Sequence, residues 1–200
     1  MSDDDRDRGL VQRATEGDRA ALAALFAHHH LRVFRSAYLV VRSPEAADDI
    51  VQLVFLELFR ALRTFDLRRP FLPWLYRIVH NVSVDYLKRE RYRHPALPLH
   101  ERTPDPSDPT AQVEARAILG PALDALSAEH REALVLRYYV GLSEGEMAAV
   151  LGVRPGTVKS RLHRALQAVG AVIGPGNHRS LGDGANLDED DPTYRGEATR

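Results

Sequence analysis

Thr157, Lys159, Ser160, Arg161 and Arg164 sit within eight residues of one another and combine cations with hydroxyls, with no acid among them. Such side chains donate to phosphate oxygens and to base edges in the major groove of duplex DNA. The residues between them, Val158, Leu162, Ala165 and later Val169, repeat at helical spacing and define a buried face, so the polar set falls elsewhere on the same helix. What precedes it fits a helix-turn-helix. Ser143 with Glu146 three residues on forms a capping box that starts a short helix Glu144 to Leu151. Gly152 stands where a tight turn needs positive φ, and the second helix opens near Pro155. Ala148, Gly152 and Val158 have the spacing of a small crossing residue, a turn glycine and a β-branched anchor. An ordinary helical hairpin with a solvated basic face is the alternative. It is disfavoured because cap, glycine and anchor agree independently.

A second group is Trp74, Arg77, Asn81, Lys88 and Arg91. Leu75, Ile78, Val79, Val82 and Tyr86 form the apolar arc of this helix, and the cations cluster on another arc with His80 at its edge. With Phe71 and Tyr76 nearby, the pattern suits a single-strand platform, cations for phosphates and aromatics for unstacked bases. A solvated face over a structural tryptophan fits the same wheel equally well. The helix before it, opened by Ser43 as N-cap with Pro44 and Glu45 in its first turn, buries Ala47, Ile50, Val51, Val54, Phe55, Leu58, Ala61 and Leu62 on one arc. Its other face mixes Asp48, Asp49, Gln52, Glu57 and Arg60 with Leu53, Leu56 and Phe59. Acids interleaved with large apolar residues opposite a complete core stripe point to a protein-binding surface. Burial on two sides of one bundle remains the other reading.

These elements imply an all-α chain of two helical units. A disordered N-terminus spans 1–9, the first unit 10–93, a Pro-rich linker 94–110, the helix-turn-helix unit 111–173, and a disordered acidic tail 174–200. The net charge of −1 conceals a pattern: +6 from Arg60 to Arg102, +4 from Arg154 to Arg164, and −3 from Gly174 onward. That is the polarity of a nucleic-acid binder with acidic partner surfaces. The −3 tail is expected to compete with DNA for the +4 recognition helix. The sequence has no cysteine, which removes disulfides and thiolate metal sites. It also lacks an apolar run long enough to span a bilayer and a secretory signal, so a cytoplasmic protein without membrane insertion is expected. His28, His29 and His30 invite a metal site, but adjacent side chains on a helix point apart. Asp48, Asp49 and Glu57 lack the phosphate loop or nucleophile of a nuclease. No catalytic residue, cofactor or metal is expected.

Taken together, the residues resemble a family. Ser43-Pro44-Glu45-Ala46-Ala47-Asp48-Asp49-Ile50-Val51-Gln52, then Val54-Phe55, Trp74-Leu75-Tyr76-Arg77-Ile78, Asn81 and Asp85-Tyr86-Leu87-Lys88-Arg89 are similar to the promoter-melting domain (σ2) of extracytoplasmic-function sigma factors. Leu142-Ser143 through Gly156-Thr157-Val158-Lys159-Ser160-Arg161-Leu162-His163-Arg164-Ala165 resembles their σ4 domain. The resemblance covers roughly residues 10–170. It implies a sigma factor that directs core RNA polymerase to promoter DNA and assists melting. Asp48, Asp49, Gln52 and Leu56 would dock on the clamp helices of the largest polymerase subunit, with the flap of the second subunit as a further contact. Trp74, Arg77, Asn81, Lys88 and Arg91 would capture the minus-ten strand. Thr157, Lys159, Ser160, Arg161 and Arg164 would read the minus-thirty-five duplex. An anti-sigma factor is an implied partner. The sequence departs from the family pattern at Leu53, where Glu is usual, at Pro73, where a small residue is commoner, and at Met147 in place of Ile. The rival reading is a stand-alone helix-turn-helix regulator of duplex operators, with residues 10–92 as a sensor or dimer module.

Overall fold

The computed structural model describes residues 3–93 and 120–173. The linker 94–110, the expected helical start at 111–119 and the acidic tail from 174 lie outside the described residues. Among the described residues the chain is helical and without strands, as its periodicity predicts.

The first unit contains α1 (Asp3–Thr15), α2 (Arg19–Val41), α3 (Pro44–Ala61), a 3-10 turn (Leu62–Thr64) and α4 (Phe71–Arg93). Each start has a chemical cause. Asp18 caps α2 by accepting from the amides of Ala20 and Ala21 at 2.8 and 3.2 Å. Ser43 caps α3 by accepting from Ala46 at 3.1 Å, with Pro44 at the first helical positions. Arg42 terminates α2 in the left-handed region, at φ 62°, and returns its N–H to Tyr38 at 2.8 Å. The α3 core arc is as the wheel predicts. Ala47, Ile50, Val51, Val54, Phe55, Leu58 and Leu62 are buried, with Ala61 half-buried at the margin.

The stretch 1–9, expected to be disordered, is instead helical from Asp3. The reason is tertiary. Val11 and Ala14 enter the core, and Asp7 sinks against α2, where its Oδ1 lies 2.9 Å from Nε2 of the buried His29. A charged segment that looks solvated in isolation is thereby fixed.

The second unit begins within the described residues as a helical stretch at 120–124. It continues through α5 (Ala128–Leu134), a π-helical extension Val135–Val140, α6 (Glu144–Leu151) and α7 (Pro155–Ile173). Gly141, at φ 84°, ends the π-helical segment. α5 and α6 pack on α2 and α4, so one hydrophobic core runs through both units. A smaller cluster of Ala122, Leu126, Ala165 and Val169 holds α7 to the start of the second unit.

Leu58 and Leu56, two residues apart on α3, are fully buried and 51% exposed. Leu58→Ala is therefore expected to destabilise the protein by about 2–5 kcal/mol. Leu56→Ala should stay within about 0.5 kcal/mol of the parent. Urea denaturation followed by circular dichroism measures both.

Candidate nucleic-acid interface

The helix-turn-helix is built by local chemistry. Oγ of Ser143 accepts from the Glu146 amide at 3.3 Å, and the Ser143 amide donates to Oε2 of Glu146 at 2.8 Å, so the capping box is complete. Gly152 takes φ 66° and returns its N–H to Ala148, ending α6. Val158, Leu162, Ala165 and Val169 are the buried face of α7. The helix runs on to Ile173.

Of the five residues expected on the reading face, Lys159, Ser160 and Arg164 are exposed and Thr157 is half-buried. Arg161 differs. Its side chain is 19% exposed and bound at 2.9 Å to Oε2 of Glu129, in the first turn of α5. Lys159 has a looser carboxylate neighbour, Glu144, at 3.9 Å. Arg161 lies on the margin between the core face and the exposed side of α7, and Glu129 draws it toward α5.

On α4, Asn81, Lys88 and Arg91 are exposed. Trp74 is half-buried in an aromatic cluster, with ring centroids 4.4 Å from Phe65 and 5.9 Å from Phe71. It is thus both packed and partly accessible, which joins the two alternatives the wheel left open. Arg77 does not stand free: its guanidinium donates to the carbonyl of Ala149 near the end of α6. On α3, Asp48, Asp49 and Gln52 are exposed, as are Leu53 at 40% and Leu56 at 51%. This face is covered by no described part of the chain, so burial on two sides of a bundle is excluded for it among the described residues.

Several side chains that shape these surfaces were invisible to sequence reasoning. Arg131 is buried and binds only carbonyls in its described hydrogen bonds. His80, expected merely at the edge of the basic arc, places Nδ1 2.7 Å from Oε1 of Glu132. The expectation that adjacent histidines point apart holds for His30, which stacks on Phe26, but not for its neighbours. The rings of His28 and His29 meet edge to face at 4.7 Å, and their ligand nitrogens lie within 4.8 Å of Asp7. Asp7 and His29 already satisfy each other directly. Among the described residues no helix is long and apolar enough to cross a membrane.

The family Sigma-70 region 2 matches residues 25–93, which contain both α3 and α4. Sigma-70, region 4 matches residues 116–169, which contain the capping box, the turn and α7 as far as Val169. The ECF RNA polymerase sigma factor SigM of Mycobacterium tuberculosis is 38% identical over 84% of this chain and 85% of its own length. The chain belongs to the extracytoplasmic-function (ECF) sigma factors of the sigma-70 family. The ECF RNA polymerase sigma-E factor of Escherichia coli is 31% identical over 88% of this chain and 98% of its own. Among solved structures, CnrH in complex with the cytosolic domain of CnrY aligns with a TM-score of 0.64 and 31% identity, covering 84% of this chain and 96% of CnrH. The sigma factor RpoE of Bartonella quintana, solved with the anti-sigma factor NepR, shares the fold at a TM-score of 0.61 and 22% identity, over 76% of this chain and 95% of its own.

As an ECF sigma factor, the chain directs RNA polymerase to promoters. The stand-alone regulator is set aside, because region 2 accounts for the residues that reading assigned to a sensor or dimer module. The relatives are sigma factors, not enzymes.

Because the Ser143 cap fixes the first helix of the reading motif, Ser143→Ala is expected to lower stability by about 1 kcal/mol. A fall in the thermal midpoint, with the helical circular dichroism at low temperature retained, is the measurement. An unchanged midpoint would show the cap to be dispensable.

Proposed function

We propose that this ECF sigma factor works through three surfaces, one for polymerase and two for DNA. The exposed face of α3, with Asp48, Asp49, Gln52 and Leu56, docks on the clamp helices of the largest polymerase subunit. Leu53 extends its apolar part where a glutamate is usual in the family. The second unit engages the flap of the second subunit while α7 enters the major groove of the minus-thirty-five duplex. Thr157, Lys159, Ser160 and Arg164 reach bases and phosphates, and Arg161 joins them from its tie to Glu129.

Residues Trp74, Arg77, Asn81, Lys88 and Arg91 take the minus-ten strand. Extruding a base costs a few kcal/mol, and stacking on an aromatic ring with phosphate contacts offsets it. Trp74 is suited to this because Phe65 and Phe71 hold its ring in place while part of it stays accessible. Strand opening so driven needs no catalytic group. An anti-sigma factor is a further proposed partner, since CnrH, at 31% identity, was solved with a bound protein.

The observation that carries this reading is the juxtaposition on one chain of a helix-turn-helix with a capped first helix, a basic helix with an anchored tryptophan, and an exposed acidic and apolar face. Run-off transcription with core polymerase on a promoter library tests it. Specific initiation should appear only when the protein is added. Tight operator binding by the protein alone, with no initiation, would overturn it. Trp74→Ala should preserve minus-thirty-five binding by the holoenzyme and reduce permanganate reactivity of bubble thymines. Normal reactivity would remove Trp74 from strand opening.

A further inference from the structure

We propose that Asp7, His28 and His29 form a three-ligand site for a divalent transition-metal ion of the zinc type, which ties α1 to α2. The site is separate from the surfaces proposed above for polymerase and DNA.

Three side chains from two helices converge here. Asp7 on α1 and His29 on α2 are buried, at 3% and 2% exposure, and His28 beside them is exposed. One ligand atom from each, a carboxylate oxygen and two imidazole nitrogens, lies within 4.8 Å of the other two. Neighbours on a helix leave its axis about 100° apart. The two histidines overcome this by turning their rings edge to face, with centroids 4.7 Å apart. Among the described residues His28 makes no hydrogen bond or ion pair. An exposed imidazole without such a partner is free to turn to water, yet this one lies against the buried pair.

The spacing is close to that of a coordination shell. Zinc takes imidazole nitrogen and carboxylate oxygen at about 2.0–2.2 Å in a tetrahedron, so neighbouring donors stand about 3.4 Å apart. Oδ1 of Asp7 and Nε2 of His29 are 2.9 Å apart, a separation that widens by about 0.5 Å when an ion replaces the proton between them. Binding requires Nε2 of His29 without its proton, so the ring then carries a single proton, on Nδ1. His28 closes its remaining gap, at most about 1.4 Å, by rotation of an exposed side chain.

The donor set selects the ion. Two imidazoles and one carboxylate, with no thiolate, suit zinc(II) and its neighbours cobalt(II) and nickel(II), whereas magnesium and calcium take oxygen shells. Three protein donors leave a fourth position for water, and the exposed His28 marks the side from which an ion enters. On the inner side the Phe71 ring, with its centroid 5.4 Å from that of His29, supplies an apolar wall. The ion acts on the weakest part of the fold. With 13 residues, α1 is marginal as an isolated helix and depends on its attachments. Coordination through Asp7 adds one to the burial of Val11 and Ala14.

Untagged full-length protein, freed of metal with a chelator, is titrated with zinc chloride by calorimetry and with cobalt(II) chloride by visible absorption. One equivalent should bind, cobalt should give the d–d bands of a four-coordinate nitrogen and oxygen site, and zinc should raise the thermal midpoint. His28→Ala removes an exposed ligand without touching the core. It should weaken zinc binding about 10-fold or more, since even a partner outside the ligand set is worth about 10–100-fold. Asp7→Asn keeps an acceptor for Nε2 of His29 but replaces the anionic ligand with a poor one, and should weaken binding at least as much. His30→Ala, which removes a ring that stacks on Phe26 instead, should bind zinc as the parent does. Circular dichroism of each variant in chelator should match that of the parent. No binding by the parent at millimolar zinc would overturn the site. So would equal affinity in the parent and either ligand variant, which would leave Asp7 and His29 a hydrogen-bonded pair and any bound zinc an adventitious ion only.

Discussion

The arrangement of the two units depends on the buried guanidinium of Arg131. At 2% exposure it donates to the Val40 carbonyl at 2.9 Å, the Leu126 carbonyl at 2.6 Å and the Leu123 carbonyl at 3.2 Å. Burial pushes its pKa down to about 10, nearby Arg42 adds to the effect, and Asp124 opposes it. The group is still charged at neutral pH. A desolvated charge is tolerable only when its donors are used, and carbonyls at the last turn of a helix are good acceptors for it. The C-terminal end of α2 and the loop before α5 are therefore fixed relative to one another. The positions of α6 on α4 and of α7 on α5 follow from that alignment.

Around this anchor, two of the α7 cations proposed to meet DNA have carboxylate neighbours on α5 and α6. Arg161 leans on Glu129, which is itself largely exposed, and Lys159 stands 3.9 Å from Glu144. Arg161, at 19% exposure, is held more closely, while the looser Lys159 pair, with its cation 71% exposed, is of the kind that contributes about 0–1 kcal/mol. A phosphate backbone that releases counterions on binding exceeds that. Among the described residues the acids of the exposed α3 face, Asp48, Asp49 and Glu57, make no such ion pair, and Leu53 and Leu56 beside them are exposed.

Much of this was legible in the sequence because its signals are local. The capping box, Gly152 and the spacing of Val158, Leu162, Ala165 and Val169 specify the helix-turn-helix without reference to anything distant. The α3 wheel separated Leu58 from Leu56 correctly for the same reason. What escaped was long-range pairing. Asp7 and His29 are 22 residues apart and each looks like a surface group alone. Arg131 reads as one more cation on an amphipathic helix, and nothing near it announces a carbonyl 91 residues away. Arg161, which the periodicity set with the polar residues away from the core, falls at the edge of the buried arc, and only the distant Glu129 decides where its side chain lies. The wheel could place Trp74 at a margin, but only Phe65 and Phe71 decide how much of its ring remains accessible.

The cap of α2 has an evolutionary consequence. Arg42 occupies a left-handed backbone conformation that glycine adopts freely and other residues adopt with strain. A selection for thermal stability alone would favour glycine there. Yet the side chain pairs with Asp124 and lies over the Tyr38 ring at 5.5 Å, so it spends local strain on contact between units. Backbone comfort and interdomain adhesion pull in opposite directions at this one position. Substitution toward glycine in a lineage would mark a relaxed demand for adhesion, a trace that sequence divergence can preserve after the demand itself has gone.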